Sequence, residues 1–286
     1  MQEKLANYEQ EIITYYETNE ASYVDGWDLN NSYAMHYGYK DASTKTFGDS
    51  LKRMNEVLAI KAGIKPSDKV LDAGCGVGGS TIYLARKVGC HATGITLSQK
   101  QVDKANRIAI AYDVTHNVHF EVMSYMRTTY ADATFDVVWA LESSCYASDK
   151  AAFVQEAYRI LKPGGRLIIA DGMVTQYYNN DHPTIKKWLL GWRVNYLESP
   201  DNLKQYYTQA GLTQVTYTNI TKYTKASSKR LLLIYFASTL WGIWRRITFR
   251  YKWTKAQEQN ISACYHQYVG MKRGLWGYGI VVGTKP

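Results

Sequence analysis

Val70-Leu71-Asp72-Ala73-Gly74-Cys75-Gly76-Val77-Gly78-Gly79 decides the fold of this chain. A short apolar run that meets four glycines within six residues reads as a buried strand turning sharply into a helix. Ser80 to Val88 continues the pattern, with Ile82, Leu84 and Ala85 on one helical face. His91 to Leu97 reads as a second strand, and Ser98 is expected to cap a helix running to about Tyr112. Val118 to Met123 and Phe135 to Leu141 are further strands. A helix over Ser148 to Leu161 is stopped by Lys162-Pro163-Gly164-Gly165, and Arg166 to Asp171 is a fifth strand. Val215 to Ile220 and Gly277 to Gly283 complete seven. Strands alternating with helices at this spacing predict right-handed βαβ units: an α/β, Rossmann-like, mostly parallel seven-stranded sheet with helices on both faces.

Outward from this frame, Phe47 to Ala62 carries apolar residues at helical spacing (Leu51, Met54, Val57, Leu58), and the residues before it read as helix broken near Asp25 to Asn31. Asn179 to Leu197 looks helical and Trp-rich, and Ser199 to Ala210 is a second helix ending at Gly211. The expected organisation is an N-terminal helical lid over 1–60, a cofactor-binding core over 61–175, and an acceptor-binding cap with the closing strands over 176–286.

Gly74-x-Gly76-x-x-Gly79 formally matches the dinucleotide fingerprint, a weak signal by itself. A nicotinamide ligand wants an acid about 20 residues on, at the end of the second strand. Between Ala73 and Val102 there is neither Asp nor Glu; the acid lies before the loop, at Asp72. A carboxylate there serves a pyrophosphate poorly and a cationic ligand well.

Motif I of class I S-adenosylmethionine-dependent methyltransferases resembles this stretch, and Phe135-Asp136-Val137-Val138 and Leu161-Lys162-Pro163-Gly164-Gly165-Arg166-Leu167 resemble the fourth- and fifth-strand signatures of the same enzymes. The resemblance covers about residues 50 to 175. It implies S-adenosylmethionine as cofactor, held by Asp72, Gly74, Cys75, Gly76 and Gly78. Gly94-Ile95-Thr96-Leu97-Ser98-x-x-Gln101 is similar to the tocopherol methyltransferases and their sterol-modifying relatives, which implies Thr96, Leu97 and Gln101 as cofactor contacts. Val138 to Ala147 is similar to the Glu-Ala-Thr-Cys-His-Ala stretch of sterol C-methyltransferases, with Tyr146 in place of His. Tyr15-Tyr16, Gly26-Trp27 and Met35-His36-Tyr37-Gly38-Tyr39 loosely echo their aromatic N-terminal region. Where the family commonly has Gly-Asp-Ala after the third strand, with the Asp near the adenine, this chain has Met123-Ser124-Tyr125; Ser124 and Tyr125 are the expected cofactor contacts there. The implied acceptor is an isoprenoid or other lipid-like small molecule.

Methyl transfer from a sulfonium needs in-line alignment and exclusion of water more than covalent help. An alkene acceptor adds a demand, since attack leaves a tertiary carbocation that aromatic faces and a carboxylate stabilise and a base must deprotonate. Glu142, just past the fourth strand, is the candidate carboxylate; Tyr33, His36, Tyr37 and Tyr146 are candidates for the acceptor site, with His36 as an alternative base. O- or N-methylation of an aromatic small molecule, and a non-catalytic lipid-binding protein on a relic fold, are the competing functions.

Composition narrows the rest. With 46% hydrophobic and 21% charged residues, the 286-residue chain can bury a core and is neither disordered nor fibrous. Cys75, Cys90, Cys145 and Cys264 form no C-x-x-C pair, and His116 and His119 lack a third ligand, so neither a disulfide framework nor a metal site is expected. From Lys222 onward there are 12 Lys/Arg and one acid, Glu258, a balance of +11 against −2 for the rest. No Asn/Asp-Pro-Pro-Tyr or Pro-Cys motif of nucleic-acid methylation accompanies this charge. Leu231 to Trp244 is an uncharged apolar run too short to span a bilayer. Residues 231–251 read as a cap helix, a peripheral membrane contact or a buried helix with a basic end. The N-terminus carries no apolar signal-type stretch, and a cytoplasmic location is expected.

Overall fold

A computed structural model of the chain describes residues 2–27, 32–249 and 253–286. The strands are β1 (Lys69–Ala73), β2 (His91–Thr96), β3 (Val118–Val122), β4 (Phe135–Leu141), β5 (Leu161–Val174), β6 (Thr213–Asn219) and β7 (Trp276–Thr284). They form one sheet in the order β3-β2-β1-β4-β5-β7-β6, parallel from β3 to β5, with β7 antiparallel to both β5 and β6. The expected α/β sheet is present. Val70, Leu71, Asp72 and Ala73 are all buried, as a central parallel strand covered on both faces requires. Neighbouring side chains go to opposite faces: Val70 joins a core with Leu84, Trp139, Ile168 and Trp276, while Leu71 joins one with Ile95, Phe153, Leu167 and Tyr207.

The helices are α1 (Gln2–Trp27), α2 (Phe47–Lys61), α3 (Gly79–Lys87), α4 (Gln99–Ala111), α5 (Lys150–Ile160), α6 (Pro183–Trp192), α7 (Pro200–Gln209), α8 (Thr221–Phe249) and α9 (Lys255–Lys272). Helix α2 begins with a capping box, Thr46 and Asp49 exchanging bonds with each other's backbone. Its Met54 and Leu58 lie in the same core as Val70 and Trp139. Of residues 1–60, then, α1 and the segment around Tyr33 to Tyr37 cover the sheet's ligand edge, and α2 belongs to the body. The helix-breaking stretch partly lies outside the described residues, at 28–31.

Three local expectations are corrected. Ser98 occupies the N-cap of α4 but makes no capping bond, and its hydroxyl is buried without a partner. Asn179 to Leu197 is not one helix. His182-Pro183 breaks it, because the residue before proline avoids helical geometry. A short turn over Tyr177–Asp181 precedes α6, which ends where Arg193 turns left-handed at φ +57°. The basic apolar segment starts helical at Thr221, ten residues before the apolar run, and α8 lies beside α9 as a cap with α6. A Cβ on Gly191 would stand 2.3 Å from the Gln259 carbonyl oxygen, so this glycine lets α6 and α9 approach closely. Among the described residues no helix is long and apolar enough to cross a membrane, and no group of three ligands could hold a metal. The four cysteines are buried and free.

Candidate active site

The sheet's order reverses beside β1, and the crevice beyond the strand carboxyl ends at such a switch point is where open α/β sheets bind ligands. The turn after β1 is pinned there by the Gly74 and Cys75 N–H groups, which both donate to the Ile95 carbonyl at 3.0 and 2.9 Å. Gly74, Gly76 and Gly78 have φ of +92°, +54° and +84°, left-handed backbone that side chains disfavour. A Cβ on Gly74 would come within 2.5 Å of the Ser143 Cβ. At Gly79 it would meet the Tyr33 carbonyl oxygen at 2.1 Å. The glycines thus admit the segments after β4 and before α2 as much as a ligand. Gly78 stands apart from the other expected cofactor contacts: it occupies the N-cap of α3 against the Phe120 ring and is not among the residues that line the cavity.

Asp72, Gly74, Cys75, Gly76, Thr96, Leu97, Gln101, Ser124 and Tyr125 line one cavity. Burial pushes the Asp72 carboxyl up to about 7, against the Thr81 hydroxyl, which donates to it at 2.7 Å. Along β2, the Thr96 hydroxyl donates to the Gln101 side-chain oxygen at 2.5 Å, leaving the Gln101 amide as a donor for a ligand. The unpartnered Ser98 hydroxyl lies in the same lining. Tyr125 donates its hydroxyl to the Ser143 carbonyl at 2.8 Å and sets its ring edge-on to Phe153. At the start of α3 no side chain caps the helix, which favours an anionic ligand group there. A buried carboxyl for a cation, an open helix start for a carboxylate and an orphaned hydroxyl beside a free amide donor fit S-adenosylmethionine.

A second cavity, about 410 Å³, adjoins the first, and Tyr16, Met35, Glu142 and Tyr146 line both. Its walls are aromatic, with Trp188, Trp192, Trp276, Tyr37 and Tyr278 among them. Glu142 stands at the junction with φ +50°, a strained conformation for a side-chain-bearing residue. Its Oε1 accepts the Tyr37 N–H at 2.5 Å and the Tyr278 hydroxyl at 2.7 Å. Burial, with the nearby Asp171 as a lesser cause, pushes the carboxyl up to about 8. Asp171 accepts the Ser144 hydroxyl and the Cys145 and Gly172 N–H groups, which fixes the turn that carries Tyr146. Tyr146 donates its hydroxyl to the Trp192 carbonyl at 3.0 Å.

The other acceptor candidates separate. Tyr37 lines the second cavity, its ring edge-on to Trp276 at 5.9 Å and its hydroxyl bonded to Gln267. Tyr33 and His36 lie instead in the first cavity. The His36 Nδ1 lies 3.0 Å from the Tyr37 carbonyl, which can only accept, so Nδ1 carries the proton. Its buried Nε2 has no partner, and burial lowers the imidazole to about 4. Sequence reasoning missed Glu9, whose carboxylate reaches Ser124 from α1, and Tyr278, which holds Glu142 from β7. No local motif marks either residue.

The methyltransferase domain model matches residues 71–169. The chain is 34% identical over 196 residues to the 27-O-demethylrifamycin SV methyltransferase of Amycolatopsis mediterranei (strain S699), covering 68% of this chain and 71% of that protein. It is 33% identical over 184 residues to a sterol 24-C-methyltransferase of Saccharomyces cerevisiae (strain ATCC 204508 / S288c), covering 64% and 47%. It is also 35% identical over 198 residues to the chloroplastic tocopherol O-methyltransferase of Arabidopsis thaliana, covering 65% and 55%. The match thus spans about half the length of these last two relatives. A geranyl diphosphate methyltransferase structure superimposes with a TM-score of 0.78 over 98% of this chain and 100% of that one, at 21% identity, a likeness of fold. With that fold and with a relative matched over most of both lengths, the chain belongs to the class I S-adenosylmethionine-dependent methyltransferases.

Proposed function

We propose that this protein methylates a carbon atom of a neutral isoprenoid or sterol-like lipid. The observation that carries the reading is Glu142, a buried carboxyl at the junction of the two cavities, held by two donors and facing an aromatic enclosure. An oxygen or nitrogen nucleophile asks of a carboxylate only the removal of its own proton and has no use for aromatic walls around it, and the O-methylating and C-methylating relatives are too alike in identity to decide. No Lys, Arg or His lines the second cavity among the described residues, which argues for an acceptor without a phosphate group.

The bound cofactor supplies a methyl activated on sulfur. Asp72 offsets its positive charge, Thr96 with Gln101 and Ser98 hold hydroxyls, and α1 with Met35 closes the site to water. On the acceptor, the alkene electron pair forms the new carbon–carbon bond as the methyl's bond to sulfur breaks with its pair left on sulfur, and a positive carbon remains. The Trp and Tyr faces and the Glu142 carboxylate stabilise that charge, each cation–π contact by about 0.5–2 kcal/mol. Glu142 then accepts a proton from the adjacent carbon, whose C–H electrons close the product alkene. His36, confined to the first cavity, is not that base.

A labelled-methyl transfer screen over sterols, neutral polyprenes, prenyl diphosphates, phenols and amines tests the proposal. Label on carbon of a neutral unsaturated lipid is expected; label on a phenol oxygen or an amine overturns it.

We propose also that the outer face of α8 rests on an anionic membrane surface from which the acceptor is drawn. Leu233, Phe236, Leu240, Ile243 and Ile247 repeat at helical spacing and are 51–78% exposed. The same helix turns Leu231, Ile234 and Ser238 into the acceptor cavity. Trp241 stacks on Trp244, and the C-terminal balance of +11 suits anionic headgroups; residues 250–252 lie outside the described residues. Co-sedimentation with phosphatidylglycerol vesicles, little with phosphatidylcholine, and several-fold weaker binding of Leu240→Glu are expected. Binding to neither vesicle, with a dimer that Leu240→Glu dissociates, makes a second copy the occupant and overturns the membrane reading.

A further inference from the structure

We infer that Glu9, on the covering helix α1, recognises the base of the cofactor, so that reading the base and closing the site are one event. The inference rests on the cofactor reading above and concerns a residue outside the sheet.

The first cavity runs along the sheet edge from Asp72 on β1, past Thr96 and Gln101 after β2, to Ser124 after β3. Strands lie about 4.8 Å apart, so this path is about 10 Å long. A ligand with its amino-acid end at the glycine turn and its hydroxyls at Gln101 puts its base near Ser124. The residue there is a hydroxyl, which by itself makes a weak and ambivalent contact. The chain brings a carboxylate to it from 115 residues away: the Ser124 hydroxyl donates to the Glu9 Oε1 at 2.5 Å. Glu9 and its neighbours Tyr8, Ile12 and Ile13 line the cavity as well. A carboxylate only accepts, and Ser124 occupies one oxygen. Among the described residues its second oxygen takes no hydrogen bond, and it suits a ligand N–H donor, which an adenine supplies through its exocyclic amine.

Placement on α1 gives this contact its consequence. Tyr8 donates its hydroxyl to the Arg193 carbonyl at 3.1 Å, and Glu17 pairs with Lys100 at 3.2 Å. About two turns beyond Tyr8, Tyr15 accepts from Asn260 of α9, and Tyr16 packs its ring 5.7 Å from that of Tyr146. The helix that carries Glu9 over the first cavity therefore also carries Tyr16 into the wall of the second. A base held by Glu9 adds one more contact to those that hold α1, and with it Tyr16, over both cavities.

The test compares S-adenosylhomocysteine with its 6-deamino analogue, in which hydrogen replaces the amine, by calorimetry on the full chain. The expected preference for the adenosyl ligand is at least about tenfold, because a carboxylate left facing a C–H loses a charged hydrogen bond. Glu9→Ala is expected to bring the two ligands within about threefold. Ser124→Asp added to Glu9→Ala is expected to restore the preference, since it returns a carboxylate to the same place from the body of the protein. Protease cleavage within residues 2–27 should slow on adding the adenosyl ligand to the wild type, and not to Glu9→Ala. An unchanged preference in Glu9→Ala, or a failure of Ser124→Asp to restore it while binding persists, overturns the Glu9 assignment and leaves the cofactor reading intact. Absence of S-adenosylhomocysteine binding by the wild type overturns the cofactor reading itself.

Discussion

Glu142→Gln is expected to lower the rate of methyl transfer about a hundredfold or more while S-adenosylhomocysteine affinity stays within about twofold. Glutamine keeps the size of the side chain, and its Oε1 can still accept the Tyr37 N–H and the Tyr278 hydroxyl, so the junction keeps its shape. What is lost is the negative charge beside the reacting carbon and the ability to take its proton. A hundredfold corresponds to about 2.7 kcal/mol of barrier, within reach of one well-placed charge. Single-turnover rates with labelled cofactor, beside calorimetry, make the measurement. A variant that keeps most of its turnover would overturn the alkene mechanism and point to an acceptor that reaches the site already deprotonated, such as a free amine or a phenolate.

The same residue predicts a pH dependence, and Asp72 shares it. Burial holds Glu142 up to about 8 and Asp72 up to about 7, so in the ligand-free protein the neutral forms are favoured at and below neutrality. Because the folded-state values are raised, their stabilising contribution is complete below the unfolded values and falls away as pH climbs toward 7 to 8. A cationic ligand reverses the preference by favouring the carboxylates. S-adenosylmethionine affinity is therefore expected to rise between about pH 5 and 8, with proton release at the lower end. S-adenosylhomocysteine, which lacks the sulfonium charge, should rise less. Parallel curves for the two ligands would remove both carboxyls from the neighbourhood of the sulfur.

Asp72→Ala is expected to abolish cofactor binding, weakening it by at least about a hundredfold. The carboxyl is fully enclosed between β1 and α3, and the Thr81 hydroxyl that donates to it carries no charge to replace it. An uncompensated cation beside that turn would face only glycine backbone and the mouth of a helix whose open N–H groups repel it. Asp72→Asn, which can still accept from Thr81, is expected to lose most of the affinity too and so separates charge from shape. Thermal melting serves as the control. Removing a buried carboxyl that is costly to ionise should leave the melting temperature at pH 8 unchanged or higher, so lost binding is not lost folding. Unchanged affinity in Asp72→Ala would show that the glycine turn holds something else.

The strand-and-helix frame was legible because its signals are short and local. Val70 to Gly79 contains its own strand, its own left-handed turns and its own helix start, and each depends on residues within a few positions. The fourth- and fifth-strand stretches are equally self-contained, which is why Glu142 could be picked out at the end of β4. Where a local rule met a stronger one it failed: proline at position 183 split a segment that hydrophobic spacing alone joins. Tyr33 and His36 were legible as aromatic residues near the site but not as to which cavity each enters, because neither lies on an element whose periodicity fixes its direction.

Composition and motif order by themselves determined an α/β sheet, a cofactor turn with a carboxyl in front of it, and a candidate acid past the fourth strand. Only the folded chain decided what surrounds those groups. Tyr278 reaches Glu142 across 136 residues, Tyr37 across 105, and Glu9 meets Ser124 across 115. Side chains so far apart leave no spacing to read, since their meeting depends on the antiparallel return of β7 and on the path of α1 over the sheet edge. Electrostatics followed the same division: an acid's identity is written in the chain, but the burial that makes Asp72 and Glu142 responsive to a cation exists only once the core has closed around them.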